Sequence, residues 1–154
     1  MTFNPFGIKE TQEQPHEQAV YGLALLYNII HSKIADFLSP YNLTPGKFNI
    51  LMVIKHRSLD QGIKQVDISN QLILTPSNMT KMIDKLEKEG LVTRSALAGD
   101  RRVNLIRITK KGSQLLDAVW DGYQNVLKEA AGPLDKKKHK DLSKLLNEWF
   151  GNLQ

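Results

Sequence analysis

Residues 65–107 decide the fold of this chain, and they read QVDISNQLILTPSNMTKMIDKLEKEGLVTRSALAGDRRVNLIR. A short helical pattern over 66–72 is followed by a longer amphipathic pattern over 75–90. The hydroxyl oxygen of Thr75 can cap the free backbone N–H groups of the second helix. Pro76 then occupies the first helical position, where its missing N–H costs nothing. The stretch therefore predicts two helices joined by a short turn.

A hairpin is predicted directly after the second helix. Two short apolar runs, 91–92 and 103–108, flank a tip that carries Asp100, Arg101 and Arg102. The order of helix, turn, helix and a hairpin with a basic tip is that of a winged helix-turn-helix. We therefore expect a mainly α-helical protein with a small β-wing.

The second helix has two distinct faces. Apolar side chains recur at the spacing of one helical face, at Met79, Met82, Ile83 and Leu86. The opposite face is polar and holds Ser77, Asn78, Thr80, Lys81, Asp84, Lys85 and Lys88. Serine, threonine and asparagine can read base edges in a major groove, while lysines meet phosphates. Taken alone, the pattern also fits an ordinary solvated surface helix, and Asp84 counts slightly against DNA.

The charge of the chain is unevenly distributed. Its 154 residues include 21 Lys and Arg against 16 Asp and Glu, for a net charge of +5. Residues 44–112 hold 13 of the basic and 6 of the acidic residues, whereas the rest of the chain holds 8 and 10. Positive charge concentrated on one module is the electrostatic footprint of a polyanionic partner such as double-stranded DNA. A generally basic surface does not predict this asymmetry.

Long amphipathic helices are predicted on both sides of this module. Their apolar residues alternate spacings of three and four, as at a helix–helix seam. We expect a single domain, with the winged helix-turn-helix at about 44–112 and dimerisation helices at about 1–40 and 113–154. Because one chain has little else to cover these apolar stripes, we expect a two-fold symmetric homodimer. The alternative is a monomer whose helices pack on their own winged module.

Several motifs resemble the MarR family of bacterial transcription regulators. The matching segments are Asp67–Ile68, Leu72, Thr75–Thr80, Ile83–Val92, Asp100–Arg102 and Ile108–Gly112. Their combination is specific, and the resemblance covers essentially the whole chain. It implies a homodimeric regulator, usually a repressor, that binds a pseudo-palindromic operator with half-sites about one helical turn apart.

The helix faces and the resemblance together give a set of expected DNA contacts. These are Thr75, Ser77, Asn78, Thr80, Lys81, Lys85, Arg94, Asp100, Arg101 and Arg102. Arg101 or Arg102 is expected to enter the minor groove, where negative potential attracts arginine. Asp100 would orient one of them, although it is alternatively a simple turn residue. Arg94 and Lys81 are expected to contact phosphates, with Lys47 a weaker candidate.

Two features depart from the family's pattern. Many helix-turn-helix motifs have a glycine in the turn, and residues 71–74 contain none. The turn must then use ordinary backbone angles or follow a longer first helix. Residues 95–99 lack the acidic residue that often precedes the Asp-Arg-Arg motif, which leaves Asp100 alone to brace the wing arginines.

The resemblance also implies a ligand site. Members of this family often bind small aromatic ligands between the dimerisation helices and the winged domain, and binding alters the spacing of the recognition helices. The residues expected to line such a crevice here are Tyr27, His31, Phe48 and Met52. The alternative is that all four are packing residues of the core or of the dimer interface.

Other classes of function find no support in the residues. The chain has no cysteine, which excludes disulfides, cysteine-ligated zinc and thiol redox sensing. Its 4 histidines form no metal-binding motif, and there is no glycine-rich phosphate loop. We therefore expect no enzyme activity, cofactor or metal.

Residues 1–14 are expected to form an arm and lack the pattern of a secretion signal, so we expect a cytoplasmic protein. The alternative function is a winged-helix protein–protein interaction module without specific DNA binding.

Overall fold

The computed structural model describes residues 15–58, 62–72, 75–132 and 134–153, with the side chains of these ranges except Pro76 and Arg101. The expectations for the arm (1–14) and for residues 73–74 of the helix–helix turn lie outside the described residues. Everything below refers to the described part of the chain.

The described part of the chain forms ten helices and strands. They are α1 (Pro15–Leu38), a 3-10 turn (Ser39–Tyr41), α2 (Pro45–Arg57), β1 (Ile63–Lys64), α3 (Gln65–Leu72), α4 (Pro76–Lys88), β2 (Val92–Leu97), β3 (Asp100–Ile108), α5 (Lys110–Ala131) and α6 (Lys136–Asn152). The strands form one antiparallel sheet in the order β1-β3-β2. The expected fold, mainly helical with a small β-wing, is confirmed. The short strand β1 pairs with β3 of the wing.

Three helices begin at threonine caps, one of which is the predicted cap Thr75. The side chains of Thr44, Thr75 and Thr109 each accept a hydrogen bond from the backbone three residues ahead. The donors are the N–H groups of Lys47, Asn78 and Gly112, at 3.3, 3.4 and 3.0 Å. These bonds satisfy N–H groups that have no partner within the helix, and so they fix where α2, α4 and α5 start.

α4 ends at Lys88, two residues before the end of the pattern that its sequence predicts. Gly90 has a φ of +70°, a left-handed conformation that glycine adopts without a steric penalty. The N–H groups of Gly90 and Leu91 bond back to the carbonyl oxygens of Glu87 and Leu86, each at 2.9 Å. This turn sends the chain directly from the second helix of the motif into the wing.

The core lies where the winged module meets α5 and the end of α1. Each of these elements contributes side chains that are almost fully buried, namely Leu38, Phe48, Leu51, Ile54, Ile68, Met79, Ile83, Leu86, Ile106, Leu116 and Val119. α1 and α5 approach closely, because a Cβ at Gly122 would lie 2.5 Å from Cζ of Phe37. The winged module and these two long helices therefore share one hydrophobic core.

The apolar seam predicted along α1 divides into two parts. Near the end of the helix, Ile34 and Phe37 pack against the core. Near its start, Val20 and Leu23 are 50% and 43% exposed. α6 contains no buried residue, and its apolar side chains include Leu145 at 63% exposure. The chain thus presents two uncovered apolar helix faces.

The wing differs in detail from the prediction. The strands extend beyond the predicted runs 91–92 and 103–108, and the turn between them is Ala98–Gly99. Gly99 has a φ of +86°, which makes a two-residue turn possible at this point. The segment Asp100–Arg102 therefore forms the start of β3 and does not form the tip of the hairpin.

α6 starts at Lys136. Asp135 is its cap and accepts a hydrogen bond from the N–H of Lys138 at 2.9 Å. A cluster of lysines at a helix N-terminus is unfavourable for the helix dipole. The carboxylate of Asp135 offsets this effect, since it also lies 3.7 Å from Nζ of Lys138.

We predict that Gly112→Ala destabilises the fold. A Cβ at this position would lie 2.3 Å from the backbone oxygen of Leu91, which cannot move without displacing the base of the wing. We expect a loss of roughly 1–3 kcal/mol in the free energy of unfolding, measured by urea denaturation. Gly151→Ala is the matched control in a helix, because no atom lies within 4 Å of its Cβ position. Equal stabilities of the two variants would contradict the close contact.

Candidate nucleic-acid interface

The core fixes which face of α4 is presented to solvent. Met79, Ile83 and Leu86 are each 0% exposed. The residues of the polar face are exposed, and they include the expected contacts Ser77, Asn78, Thr80, Lys81 and Lys85. The structure therefore brings five of the predicted residues together on one solvent-facing surface, which we call the α4 face.

Two of the threonines expected to contact DNA have partners within the chain. Thr75 is the helix cap described above, so its hydroxyl oxygen already accepts the Asn78 N–H. Thr80 accepts a hydrogen bond from Nε2 of Gln65 at 2.9 Å. Gln65 is the first residue of α3 and was missed by the sequence analysis. No sequence pattern indicated this hydrogen bond, because it joins residues of two different helices.

Arg94 connects the wing to α4. Its guanidinium hydrogen-bonds Asp84 through Nη2, and its Nε lies 3.5 Å from Oε2 of Glu87. The Arg94 side chain is only 22% exposed. We expected this arginine to contact phosphate, whereas the structure places it between β2 and α4. The pairing also accounts for Asp84, the acidic residue that counted against DNA in the sequence.

Lys47 makes a similar connection from α2. Its Nζ lies 2.6 Å from Oε1 of Glu89, just after the end of α4, and donates to the backbone oxygen of Asn42 at 3.3 Å. The side chain is 12% exposed. Lys47 was a weaker candidate for a phosphate contact, and the structure instead uses it to tie the start of α2 to the end of α4.

The start of β3 holds the three charged wing residues. Oδ1 of Asp100 accepts a hydrogen bond from the backbone N–H of Arg102 at 3.0 Å. Asp100 therefore shapes the backbone after the turn, in line with the alternative interpretation as a turn residue. The side chain of Arg102 is exposed. The prediction for the Arg101 side chain lies outside what the structure describes.

A cavity of about 430 Å³ lies between α1, α2 and α5, with the end of α3 beside it. Of the four residues predicted for a ligand crevice, Tyr27 and His31 line it, with ring centroids 5.3 Å apart. Phe48 lies in the core with its ring 4.5 Å from that of Tyr123, and Met52 packs against the core. For these two residues the packing alternative applies.

The remaining wall of this cavity was not predicted. Tyr123, Asn49, Gly46 and Leu72 line it, and they come from three different helices. Burial raises the pKa of the Tyr123 phenol above its ordinary value. Tyr123 is therefore a neutral hydroxyl at physiological pH, able to donate or accept a hydrogen bond. Together with His31 and Asn49 it gives an otherwise apolar cavity a few polar groups.

The described part of the chain contains no group of three or more His, Asp or Glu side chains placed to hold a metal ion. None of the described helices is both long and apolar enough to cross a membrane.

The fold and the α4 face define the class of protein. A helix buried on one side, polar on the other and followed by a hairpin is a winged helix-turn-helix. Residues 43–103 match the MarR family. This match confirms the resemblance to the MarR family that the sequence shows.

Individual proteins that this chain resembles are transcription regulators. MhqR of Bacillus subtilis (strain 168), an HTH-type transcriptional regulator, is 28% identical over 116 residues, or 75% of this chain and 78% of MhqR. The structure of the S. aureus MepR–DNA complex has a TM-score of 0.79 at 19% identity, covering 86% of this chain and 96% of MepR. Bordetella bronchiseptica BpsR, whose DNA binding is regulated by 6-hydroxynicotinic acid, also has a TM-score of 0.79, at 18% identity over 86% of this chain and 98% of BpsR.

We predict that Arg94 and Asp84 stabilise the attachment of the wing to α4. In a double-mutant cycle of Arg94→Ala and Asp84→Ala, we expect a coupling of about 1 kcal/mol in the free energy of unfolding. The matched control is the cycle of Lys138 and Asp135, whose side chains are 68% and 61% exposed. A control coupling as large as that of Arg94 with Asp84 would show that the wing contact has no special role.

Proposed function

We propose that this protein is a homodimeric, sequence-specific DNA-binding transcription regulator of the bacterial cytoplasm and that it acts as a repressor. The observation that carries the proposal is the α4 face, a set of exposed polar and basic side chains on a helix whose other side is fixed in the core. The concentration of basic residues in 44–112 supports a polyanionic partner. The DNA complex of the similarly folded MepR gives a precedent.

Each exposed residue of the α4 face has a proposed role. Ser77, Asn78 and Thr80 lie near the start of the helix, where side chains reach base edges in a major groove. Lys81 and Lys85 are proposed to meet backbone phosphates. In the wing, Asp100, Arg101 and Arg102 form the segment beside the DNA. Arg94 is proposed to position the wing through its contact with α4, in place of the phosphate contact first expected.

The two uncovered apolar faces support a dimer. The first two thirds of α1, and α6 with the residue that caps its end, expose large apolar side chains, the most exposed being Tyr27, Ile29, Leu145, Phe150 and Leu153. Contiguous apolar surface of this kind usually marks a protein–protein interface. A second copy that contributes the same helices would cover both faces around a two-fold axis. Two α4 faces would then meet half-sites about one helical turn apart.

The cavity between α1, α2 and α5 is proposed to bind a small aromatic effector. Its volume of about 430 Å³ is enough for a single-ring compound, and ligand pockets are usually apolar with a few placed polar groups. Tyr27, His31 and Tyr123 supply rings for stacking as well as polar atoms. The regulation of BpsR by 6-hydroxynicotinic acid gives a precedent for a ligand with one ring.

Effector binding has a direct mechanical route to α4. Gly46 lines the cavity and also supports Met82 of α4, because a Cβ at Gly46 would lie 2.6 Å from Cε of Met82. The next residue, Lys47, holds Glu89 at the end of α4. A ligand that displaces the first turn of α2 therefore pushes on α4 at two points.

We predict that Asn78→Ala and Lys85→Ala impair DNA binding in different ways. Binding to the duplex upstream of the protein's own gene is measured across a salt series against random duplex. Lys85→Ala should lower the slope of log K against log salt by about 1 and leave the specificity ratio unchanged. Asn78→Ala should reduce the specificity ratio, by roughly 1–3 kcal/mol if it forms a bidentate base contact.

The same experiment tests the function itself. Two chains per duplex and competitor-resistant binding would support the proposed regulator. If wild-type protein binds neither duplex at low salt, the α4 face serves another partner. The hypothesis of a protein–protein interaction module is then favoured. Equal effects of both substitutions on slope and specificity would contradict the division between base and phosphate contacts.

We predict that Gly46→Ala alters DNA affinity without contacting DNA. The added methyl group must displace the end of the Met82 side chain, and so it imitates pressure from the cavity on α4. Coupling energies between sites commonly correspond to changes of about 5–150-fold in affinity, and we expect a loss within this range. Met82→Ala in the same chain should restore affinity, because it removes the atoms that collide. Unchanged affinity of Gly46→Ala would refute this route.

A further inference from the structure

A second cavity lies on the winged module, away from the cavity between the long helices. Its volume is about 250 Å³, and it is enclosed by the start of α3, the end of β1 and the first half of β3. The polar residues that line it are Lys64, Gln65, Ser69, Arg102 and Asn104. Val66 and Val103 complete the wall. We call this space the wing cavity.

The charge of the wing cavity favours an anion. Lys64 lies opposite Leu105 in the β1–β3 register, and Arg102 is three residues earlier on the same strand β3. Two cationic residues from different strands line one space, and no residue of its lining is acidic. The nearby carboxylate of Asp100 is engaged with the Arg102 backbone N–H. Asn104 and Ser69 add uncharged polar groups that can hydrogen-bond an oxygen anion.

Gln65 brings a carboxamide to the wall of the wing cavity. Its Oε1 is buried and has no hydrogen-bond partner among the described residues, while Nε2 donates to Thr80. A buried polar atom without a partner is unfavourable. If the carboxamide were rotated, the Thr80 hydroxyl would donate to Oε1 and Nε2 would become a donor available to an anion.

We propose that the wing cavity binds a phosphate group, and that in the complex with DNA this group is a backbone phosphodiester beside the half-site. The inference rests on the proposed DNA-binding function, because Gln65 joins the cavity to Thr80 on the α4 face. It adds Lys64 to the DNA-contacting residues. It also assigns Arg102 to a contact with the DNA backbone, in place of the minor-groove contact that the sequence predicts for Arg101 or Arg102.

The charge contribution is tested by salt dependence with a matched control. Lys64→Gln and Arg102→Gln are compared with Lys128→Gln, which removes an exposed lysine in the last turn of α5. Each cavity variant should lower the slope of log K against log salt by about 0.9. The loss of affinity of each cavity variant relative to the wild type should then be about 3.5-fold smaller at 200 mM salt than at 50 mM, as this change in slope requires. The specificity ratio should not change. Slopes equal to that of Lys128→Gln would overturn the proposal.

Neutral methylphosphonate linkages, introduced one at a time, locate the phosphate on the duplex. We expect one position per half-site at which the neutral linkage weakens binding of the wild type but not of the Lys64→Gln/Arg102→Gln double variant. Such non-additivity arises only when the changed groups interact with each other. The proposal would be overturned if, at every position of the neutral linkage, the double variant lost as much affinity as the wild type.

Inorganic phosphate separates failure of the cavity from failure of the proposed function. Sodium phosphate is titrated against the protein without DNA, at constant ionic strength, while the side-chain amide NMR signals of Gln65 and Asn104 are followed. Shifts in the wild type that disappear in the double variant support phosphate chemistry in the cavity, even if no duplex is bound. Absence of shifts in the wild type argues against it. The assignment to DNA would be overturned if the shifts saturated below 1 mM phosphate and no single methylphosphonate linkage weakened DNA binding. This result would indicate that the cavity binds a free phosphorylated ligand.

Discussion

Burial of one side of α4 is the constraint on which the rest of the structure depends. Met79, Ile83 and Leu86 are completely buried, and each such side chain contributes about 1.5–3 kcal/mol relative to exposure. A rotation of the helix large enough to change its outer face would expose all three. The helix is therefore held in one orientation, and its polar residues occupy fixed positions before any partner arrives. Preorganisation of this kind lowers the entropy that binding must otherwise overcome.

The acidic residues near this surface serve to attach α4 to its neighbours. Asp84 and Glu87 face Arg94 of the wing, and Glu89 faces Lys47 of α2. These carboxylates are thus matched by cations from other elements. The lysines on the exposed side of α4 keep their positive charge for solvent or a partner. The net charge of the region understates how basic the presented surface is, since several of its acids are already paired.

Local features of this chain could be predicted from sequence, and features that join distant segments could not. The cap at Thr75 depends on a backbone group only three residues away, and its position was predicted correctly. The pairing of Arg94 with Asp84 depends on how the wing returns along α4, and no spacing rule reports it. The cavity between α1, α2 and α5 shows the same limit, because Tyr123 reaches it from a helix that is far away in sequence. The wing turn was misplaced for a local reason, as Gly99 permits a tighter hairpin than the apolar runs suggest.

The first turn of α2 makes the two halves of the proposed function physically inseparable. It begins at a threonine cap and a proline, so its backbone is well determined. One side of it forms part of the cavity between α1, α2 and α5, and the other side touches Met82 of α4 through Gly46. Protein interiors are packed too densely to absorb a displacement at such a contact. A ligand that displaced this turn would change the free energy of placing α4, and DNA bound by α4 would then change the affinity of the cavity by the same factor. A contact this direct requires no long pathway, because one turn of helix separates the two sites.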